Sequence, residues 1–411
     1  MNLTTANRIG IVVLIVLAGF FSSTWYHYYW SQYIGLGYPF TTFLFQPGDV
    51  FRDYLVHYNQ SVGLDPYKYN STAGLVANYF PFAYAFMAPF LLFSYETSSR
   101  VFFFVCALIF ALIVSHAIIK AKLEASREFK VLTVICLVCF SYPVLFCFDR
   151  LNIEFIPFFC AYLFTIFERK GKLYQAYFFL SLAVMIKPYY ILFGLIGLDR
   201  DFLYKSLKLS GGLLTVSIIS FLILRRPVLD NMRLLLLGLA KSSSIFDAER
   251  PLFFSSSLLE VFRYLSTLYP SMIGLKGMIT LKGIFVLSAV TLLVPLIFIV
   301  FNKYTYYWMK LLAVAAYVII STHVSFDYKL IIMYIPLVWY FRDENPDSKF
   351  SYFMGVLMAI MLIPKDYIYL YKGTDISIST LINPILLMVI IIALFIYSLL
   401  KPKNPKVIEQ T

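Results

Sequence analysis

The sequence predicts an all-α, polytopic membrane bundle of about twelve spans, and three observations carry the prediction. Hydrophobic residues make up 61% of the 411-residue chain and charged residues only 14%, against roughly 25% charged in a soluble domain. Long runs without Asp, Glu, Lys or Arg recur along the whole chain, and a transmembrane helix needs about 20 such residues. The Lys and Arg residues cluster in alternate loops, as short cytoplasmic loops do. A formal net charge of +12 would suit nucleic-acid binding in a soluble protein, but distribution over membrane loops excludes that partner.

In order, the charge-free runs are Ile9 to Trp30, Val101 to Ile119, Val131 to Phe148, Phe155 to Phe167, Leu173 to Ile186, Pro188 to Leu198, Leu209 to Leu224, Gly283 to Asn302, Leu311 to Phe326, Leu330 to Phe341, Phe350 to Pro364 and Ile376 to Leu400. The first is a retained span, because Trp25, Tyr26, Tyr28, Tyr29 and Trp30 form an interfacial belt where a signal peptide would carry small residues. A further run, Tyr69 to Tyr95, contains Pro81 and Pro89, which suit a re-entrant or juxtamembrane broken helix. With that run not crossing, 18 of the 34 Lys and Arg fall in inner loops, and both termini are expected in the cytoplasm. The chain then reads as a single integral-membrane domain, 1–411, with outer segments at 31–100 and 225–282.

Chemistry-bearing residues gather at the outer face. Asp49 and Asp53 are four apart with Arg52 beside them, so on a helix the carboxylates share a face; an ordinary amphipathic surface helix explains the same pattern. Arg150, Asn152 and Glu154 crowd one very short turn between apolar runs, a costly placement unless they line a cavity. Lys187 borders an apolar hairpin, where snorkelling is the alternative. His323 lies at a run boundary near Asp327 and Lys329, where an interfacial histidine is equally natural. The five cysteines, Cys106, Cys136, Cys139, Cys147 and Cys160, sit in apolar runs, which indicates neither a disulfide framework nor a zinc site. Walker, Rossmann and HExxH patterns are absent, so no cofactor is firmly implied and no metal site is assigned, with a divalent metal left open but not indicated.

The order of these motifs resembles the GT-C glycosyltransferases, and within them glycosyltransferase family 87, the polyprenyl-phosphate-mannose-dependent mannosyltransferases and their relatives. The resemblance rests on Gly48-Asp49 after the first span, Gly63-Leu64-Asp65-Pro66-Tyr67, Tyr79-Phe80-Pro81, Asp149-Arg150-Leu151-Asn152-Ile153-Glu154, Ile186-Lys187-Pro188-Tyr189 and Thr322 to Lys329. The chain departs from the family at Tyr79-Phe80-Pro81, where Tyr-Pro-Pro is common, and at Asp149 to Asn152, where the family commonly has a Gly-Gln or Gly-Asn turn. The resemblance implies a GT-C type bundle that moves a hexose from a polyprenyl-phosphate donor to a glycan or glycolipid acceptor, with inversion. It places Asp49 as the catalytic base. Arg52, Arg150, Lys187, His323 and Lys329 would bind the donor phosphate, and Asp53, Tyr54, Tyr79, Asn152, Glu154 and Asp327 would contact sugar or acceptor. Residue usage points to a bacterial inner membrane with a periplasmic site. An O-antigen polymerase or ligase, and a lipid or sugar transporter or flippase, are the competing readings; a transporter would place charges in mid-span, where these runs are nearly empty.

Overall fold

The computed structural model describes residues 5–34, 50–67, 77–121, 126–197, 202–245, 255–268, 275–342, 349–365 and 378–400. Among them the secondary structure is helical, apart from one antiparallel bridge between Ser255 and Phe326. The chain divides into two compact units. The first comprises Met1–Phe40, Ala111–Phe146 and Glu249–Thr411, and the second Thr41–Phe110 and Cys147–Ala248.

The expected twelve spans are corrected: among the described residues there are five, or six at most. Ala6–Trp25, Tyr95–Lys120, Leu203–Ile223, Leu281–Phe301 and Ser379–Leu400 are long and apolar enough to cross a bilayer, and Arg127–Cys139 with Tyr142–Arg150 makes a sixth if that pair, bent by 50°, counts as one span. The remaining runs form shorter elements: Phe155–Arg169, Leu173–Ile186, Tyr307–Ser321, Tyr334–Arg342, Lys349–Leu362 and the 3₁₀ stretch Pro188–Gly197. At 1.5 Å per residue the 15-residue helices among them reach only about 22 Å, short of the ~30 Å hydrocarbon core. Their apolar character has another cause. Tyr307–Ser321 is buried on nearly every side by its own unit, from Trp308 through Ile320, and a helix enclosed by protein is as uniformly apolar as one enclosed by lipid. The loops over which Lys and Arg were tallied are not the ones that these spans leave between them, so that tally assigns no side to either terminus.

In the first unit Tyr307–Ser321 packs against Leu275–Phe301, Tyr334–Arg342 and Ser379–Leu400, while Thr5–Ile34 packs against Lys349–Leu362 and Arg127–Cys139. In the second, Leu173–Ile186 lies between Phe155–Arg169 and Phe202–Ile223. Where lipid tails are as apolar as the side chains, such contacts depend on close backbone approach at small residues. Gly212 supplies one: a Cβ there would stand 2.3 Å from Ser181 Oγ. The short helix Pro81–Ala85, with its proline in the first turn where the missing N–H costs nothing, packs on Leu173–Ile186 and Phe202–Ile223. The Tyr69 to Tyr95 run is thus broken in its described part into Pro81–Ala85 and the 3₁₀ turn Phe90–Leu92.

Candidate functional site

The site in the second unit is built on the end of the helix Tyr142–Arg150. Leu151 adopts a left-handed conformation, φ 46°, and two bonds close the helix around it: Leu151 N–H to the Phe148 carbonyl at 3.0 Å and Asn152 N–H to the Cys147 carbonyl at 3.1 Å. This paired closure is a Schellman motif. It stops the helix abruptly, so that Arg150, Asn152 and Glu154 leave the backbone within one tight turn.

Arg150 donates from Nε at 3.0 Å and Nη2 at 2.6 Å to Oδ1 of Asp53, and Asn152 Nδ2 donates to Oδ2 at 2.7 Å. Both carboxylate oxygens are therefore engaged. Asn152 in turn accepts from the backbone N–H of Glu154 at 2.9 Å. Asp53 opens the helix Arg52–Ser61, whose N-cap Phe51 is left-handed at φ 63° and donates its N–H to the Asp149 carbonyl at 2.7 Å. Two long-range attachments, one between side chains and one between main chains, thus fix the start of Arg52–Ser61 to the turn.

Behind the turn lies a buried charge. Glu154 is fully enclosed and accepts from Tyr189 Oη at 2.6 Å on Oε2 and from Tyr190 Oη at 2.8 Å on Oε1. The Lys187 ammonium stands 3.8 Å from Oε2, donates to Tyr79 Oη at 3.2 Å and lies 4.3 Å from the Tyr79 ring centroid, a cation–π contact. Sequence explains the placement: Pro188 ends Leu173–Ile186 and forces the preceding Lys187 into extended backbone, φ −135° and ψ 103°. Burial alone would lower the Lys187 pKa, but Tyr79, Glu154 and Asp53 outweigh it and the pKa is raised. Burial, then the charge of Glu154, pushes the Tyr190 phenol well up.

Tyr79 is held from its other side. Tyr67 Oη donates to the Tyr79 carbonyl at 2.8 Å, and the edge of the His57 ring meets Tyr79 at 5.3 Å while its face stacks on Tyr84 at 5.0 Å. His57 Nε2 lies 3.0 Å from the Ala83 carbonyl. That acceptor puts the ring proton on Nε2. Burial lowers the His57 pKa to about 4, with Lys187 acting in the same direction, so His57 is neutral at physiological pH.

The first unit holds its own polar group. Asp327 is fully buried and its Oδ1 accepts from Ser256 Oγ at 2.5 Å and from Asn383 Nδ2 at 3.4 Å. Burial raises its pKa to about 6, and burial lowers that of Lys365 to about 8. Lys329, also buried, donates to Thr322 Oγ1 at 3.2 Å and to the Val324 carbonyl. His323 is half-buried.

The expected site residues therefore fall into distinct settings. Asp49 lies outside the described residues. Asp53, Arg150, Asn152, Glu154, Lys187 and Tyr79 form one connected chain of contacts, while Arg52 is exposed at the head of its helix. Tyr54 is buried, stacked 5.0 Å from Phe102, with its hydroxyl 2.6 Å from Ser98 Oγ. His323, Asp327 and Lys329 belong to the first unit. Sequence reasoning missed Tyr190 and His57, and missed Ser256, Asn383 and Lys365 around Asp327. Tyr190 had a readable signal, since it directly continues the Lys187-Pro188-Tyr189 motif; the others are ordinary residues joined only by the fold. Among the described residues no three His, Cys, Asp or Glu side chains gather as metal ligands would.

Comparison with curated proteins finds no match, nor does comparison with solved structures. Residues 78–322 do match a family model, a stretch that takes in Tyr79, the Arg150 to Glu154 turn and Lys187 and leaves Asp49 and Asp53 just before it. That match covers more than half of the chain, which belongs to glycosyltransferase family 87, of the GT-C type.

Proposed function

We propose that this multi-pass membrane glycosyltransferase is an inverting hexosyltransferase that uses a polyprenyl-phosphate sugar and extends a glycan or glycolipid on the non-cytoplasmic face of a bacterial inner membrane. The acceptor hydroxyl oxygen attacks the anomeric carbon, the bond from that carbon to the phosphate oxygen breaks, and polyprenyl phosphate departs with the electron pair. Asp49 takes the hydroxyl proton. Such a base contributes typically 10²–10⁴-fold, and the departing phosphate needs cationic donors already in place.

The observation that supports the reading is the connected chain from Asp53 through Arg150, Asn152 and Glu154 to Lys187 and Tyr79. It joins the segment that begins just after Asp49 to a guanidinium and a buried ammonium, the two groups suited to phosphate oxygens. Arg150 keeps 25% of its side chain exposed while bonded to Asp53, so it can turn donors toward an anion without losing its anchor. Asp53, committed to Arg150 and Asn152, and Asn152, committed to Asp53 and the Glu154 N–H, orient rather than react.

Purified protein incubated with a panel of polyprenyl-phosphate sugars and a cell-envelope glycolipid extract tests this. Native protein is expected to transfer one of them, and folded Asp49→Asn to lose at least about 100-fold in rate while still binding donor. Equal rates would remove Asp49 from the step. Neither transfer nor binding from any polyprenyl-phosphate donor would sink the donor class.

A further inference from the structure

Glu154 occupies a position that a sugar-contacting carboxylate would not. It is fully enclosed, at the N-cap of Phe155–Arg169, and the hydroxyls of Tyr189 and Tyr190 close on its two oxygens from the segment that also carries Lys187. A buried carboxylate so engaged has little to offer a substrate hydroxyl. What it can do is act on its cationic neighbour. The sole full charge within 4 Å of its oxygens among the described residues is Lys187 Nζ, at 3.8 Å from Oε2, close enough for a strong Coulombic attraction in a low-dielectric setting but longer than a hydrogen bond. The ammonium spends a hydrogen bond on Tyr79 Oη instead, and lies over the Tyr79 ring.

We propose that Glu154 is a positioning residue that holds Lys187 against Tyr79 for contact with the departing phosphate and does not itself touch the sugar. The inference rests on the reading of Lys187 as a phosphate contact. Its physical basis is an asymmetry between the partners of Lys187. Asp53 is committed to Arg150 and Asn152 and His57 is neutral, whereas Glu154 spends its hydrogen bonds on two phenols. Glu154, 3.8 Å away, is then a charge that helps keep the ammonium stable inside the protein, where desolvation favours loss of its proton. The two tyrosine hydroxyls hold the carboxylate at that distance, so the ammonium keeps its contact with Tyr79.

The test measures binding of undecaprenyl phosphate to detergent-purified full-length protein between pH 7 and 9.5, in the native chain, Lys187→Met, Glu154→Gln, Glu154→Asp, and Glu154→Gln combined with Lys187→Arg. Lys187→Met is expected to weaken binding at least tenfold at every pH. Glu154→Gln should bind within about threefold of native at pH 7 and fall away by tenfold or more toward pH 9.5, where native binding stays level. An arginine, whose charge needs no partner, should abolish that alkaline loss in the double variant. Glu154→Asp keeps the charge and so should stay level with pH, which preserves a reading if the glutamine variant does not fold. A Glu154→Gln curve parallel to the native one, with Lys187→Met impaired, would overturn the positioning role and leave the donor reading intact. Native-like binding by Lys187→Met would overturn it by removing Lys187 from the phosphate, and absence of binding by the native chain would overturn the donor reading beneath it.

Discussion

Arg150 and Asp53, 97 residues apart in sequence, meet through two bonds from one guanidinium edge, 3.0 and 2.6 Å to the same carboxylate oxygen. The second oxygen is closed by Asn152. Replacing Asp53 by Ala therefore removes the acceptor of three donor groups on two side chains at once.

Asp53→Ala is expected to lower stability by about 1–3 kcal/mol, the cost of unpaired and partly buried polar groups, and to reduce transfer more than tenfold. Asp53→Asn keeps one acceptor for Arg150 and should fall between. Thermal unfolding in detergent, alongside turnover, checks the order; an unchanged rate in Asp53→Ala would remove the attachment from function.

His57 makes stability pH-dependent with a definite sign. Its folded pKa of about 4 lies below the ordinary 6.5, so the unfolded chain binds the extra proton between those values, and the stabilisation present above pH 6.5 is lost as pH falls toward 4. The difference corresponds to roughly 3 kcal/mol. His57→Phe keeps a ring to stack on Tyr84 and removes the proton site; the gap between native and variant should narrow or reverse in acid. A constant gap from pH 7 to 4.5 would contradict the buried neutral imidazole.

Asp327 acts in the opposite sense. Burial raises its pKa from 3.8 to about 6, so its contribution is fully present below 3.8 and is lost as pH rises through 6. Asp327→Asn, which can still accept from Ser256, should gain relative to the native chain between pH 5 and pH 7.5. Melting temperatures at those two values give the comparison.

Gly238 sets the fit of the helix Val228–Ile245 on the segment entering Tyr79. A Cβ there would stand 2.3 Å from the Ala77 carbonyl oxygen, a backbone atom that no rotamer change can move. Gly238→Ala should cost about 1–3 kcal/mol as overpacking does, in spite of alanine's better helix propensity. Activity should fall with it, because Ala77 is two residues from Tyr79. A stabilised and fully active Gly238→Ala would show that the approach is not restrictive.

The helical class was legible in composition, and so was the Arg150 to Glu154 turn, because three polar residues between apolar runs have no cheap explanation. The span count was not. Leu203–Ile223 is largely exposed and Tyr307–Ser321 largely buried, yet both are written in the same apolar residues, since lipid and protein interior impose the same demand. Length separates them, and runs such as Leu311 to Phe326 blur the helix end into the loop that follows. Lys187 was found as an isolated charge, but its neighbours Tyr79 and Glu154 are 108 and 33 positions away, and pairing at that range leaves no local pattern. Asp327 was singled out beside His323 and Lys329, whereas its hydrogen-bonding neighbours come from Ser256 and Asn383, on separate elements.

The main-chain bond from Phe51 to Asp149 has a consequence for how this chain can change over time. Neither end of it uses a side-chain atom, so the bond itself can outlast substitutions that the left-handed backbone at 51 and the full burial at 149 accept; proline at 51, which has no N–H to give, cuts it outright. The family match begins at residue 78, beyond Phe51. A joint written in backbone atoms is invisible to any comparison of letters, and it ties the stretch that no family signature covers to the one that such a signature recognises.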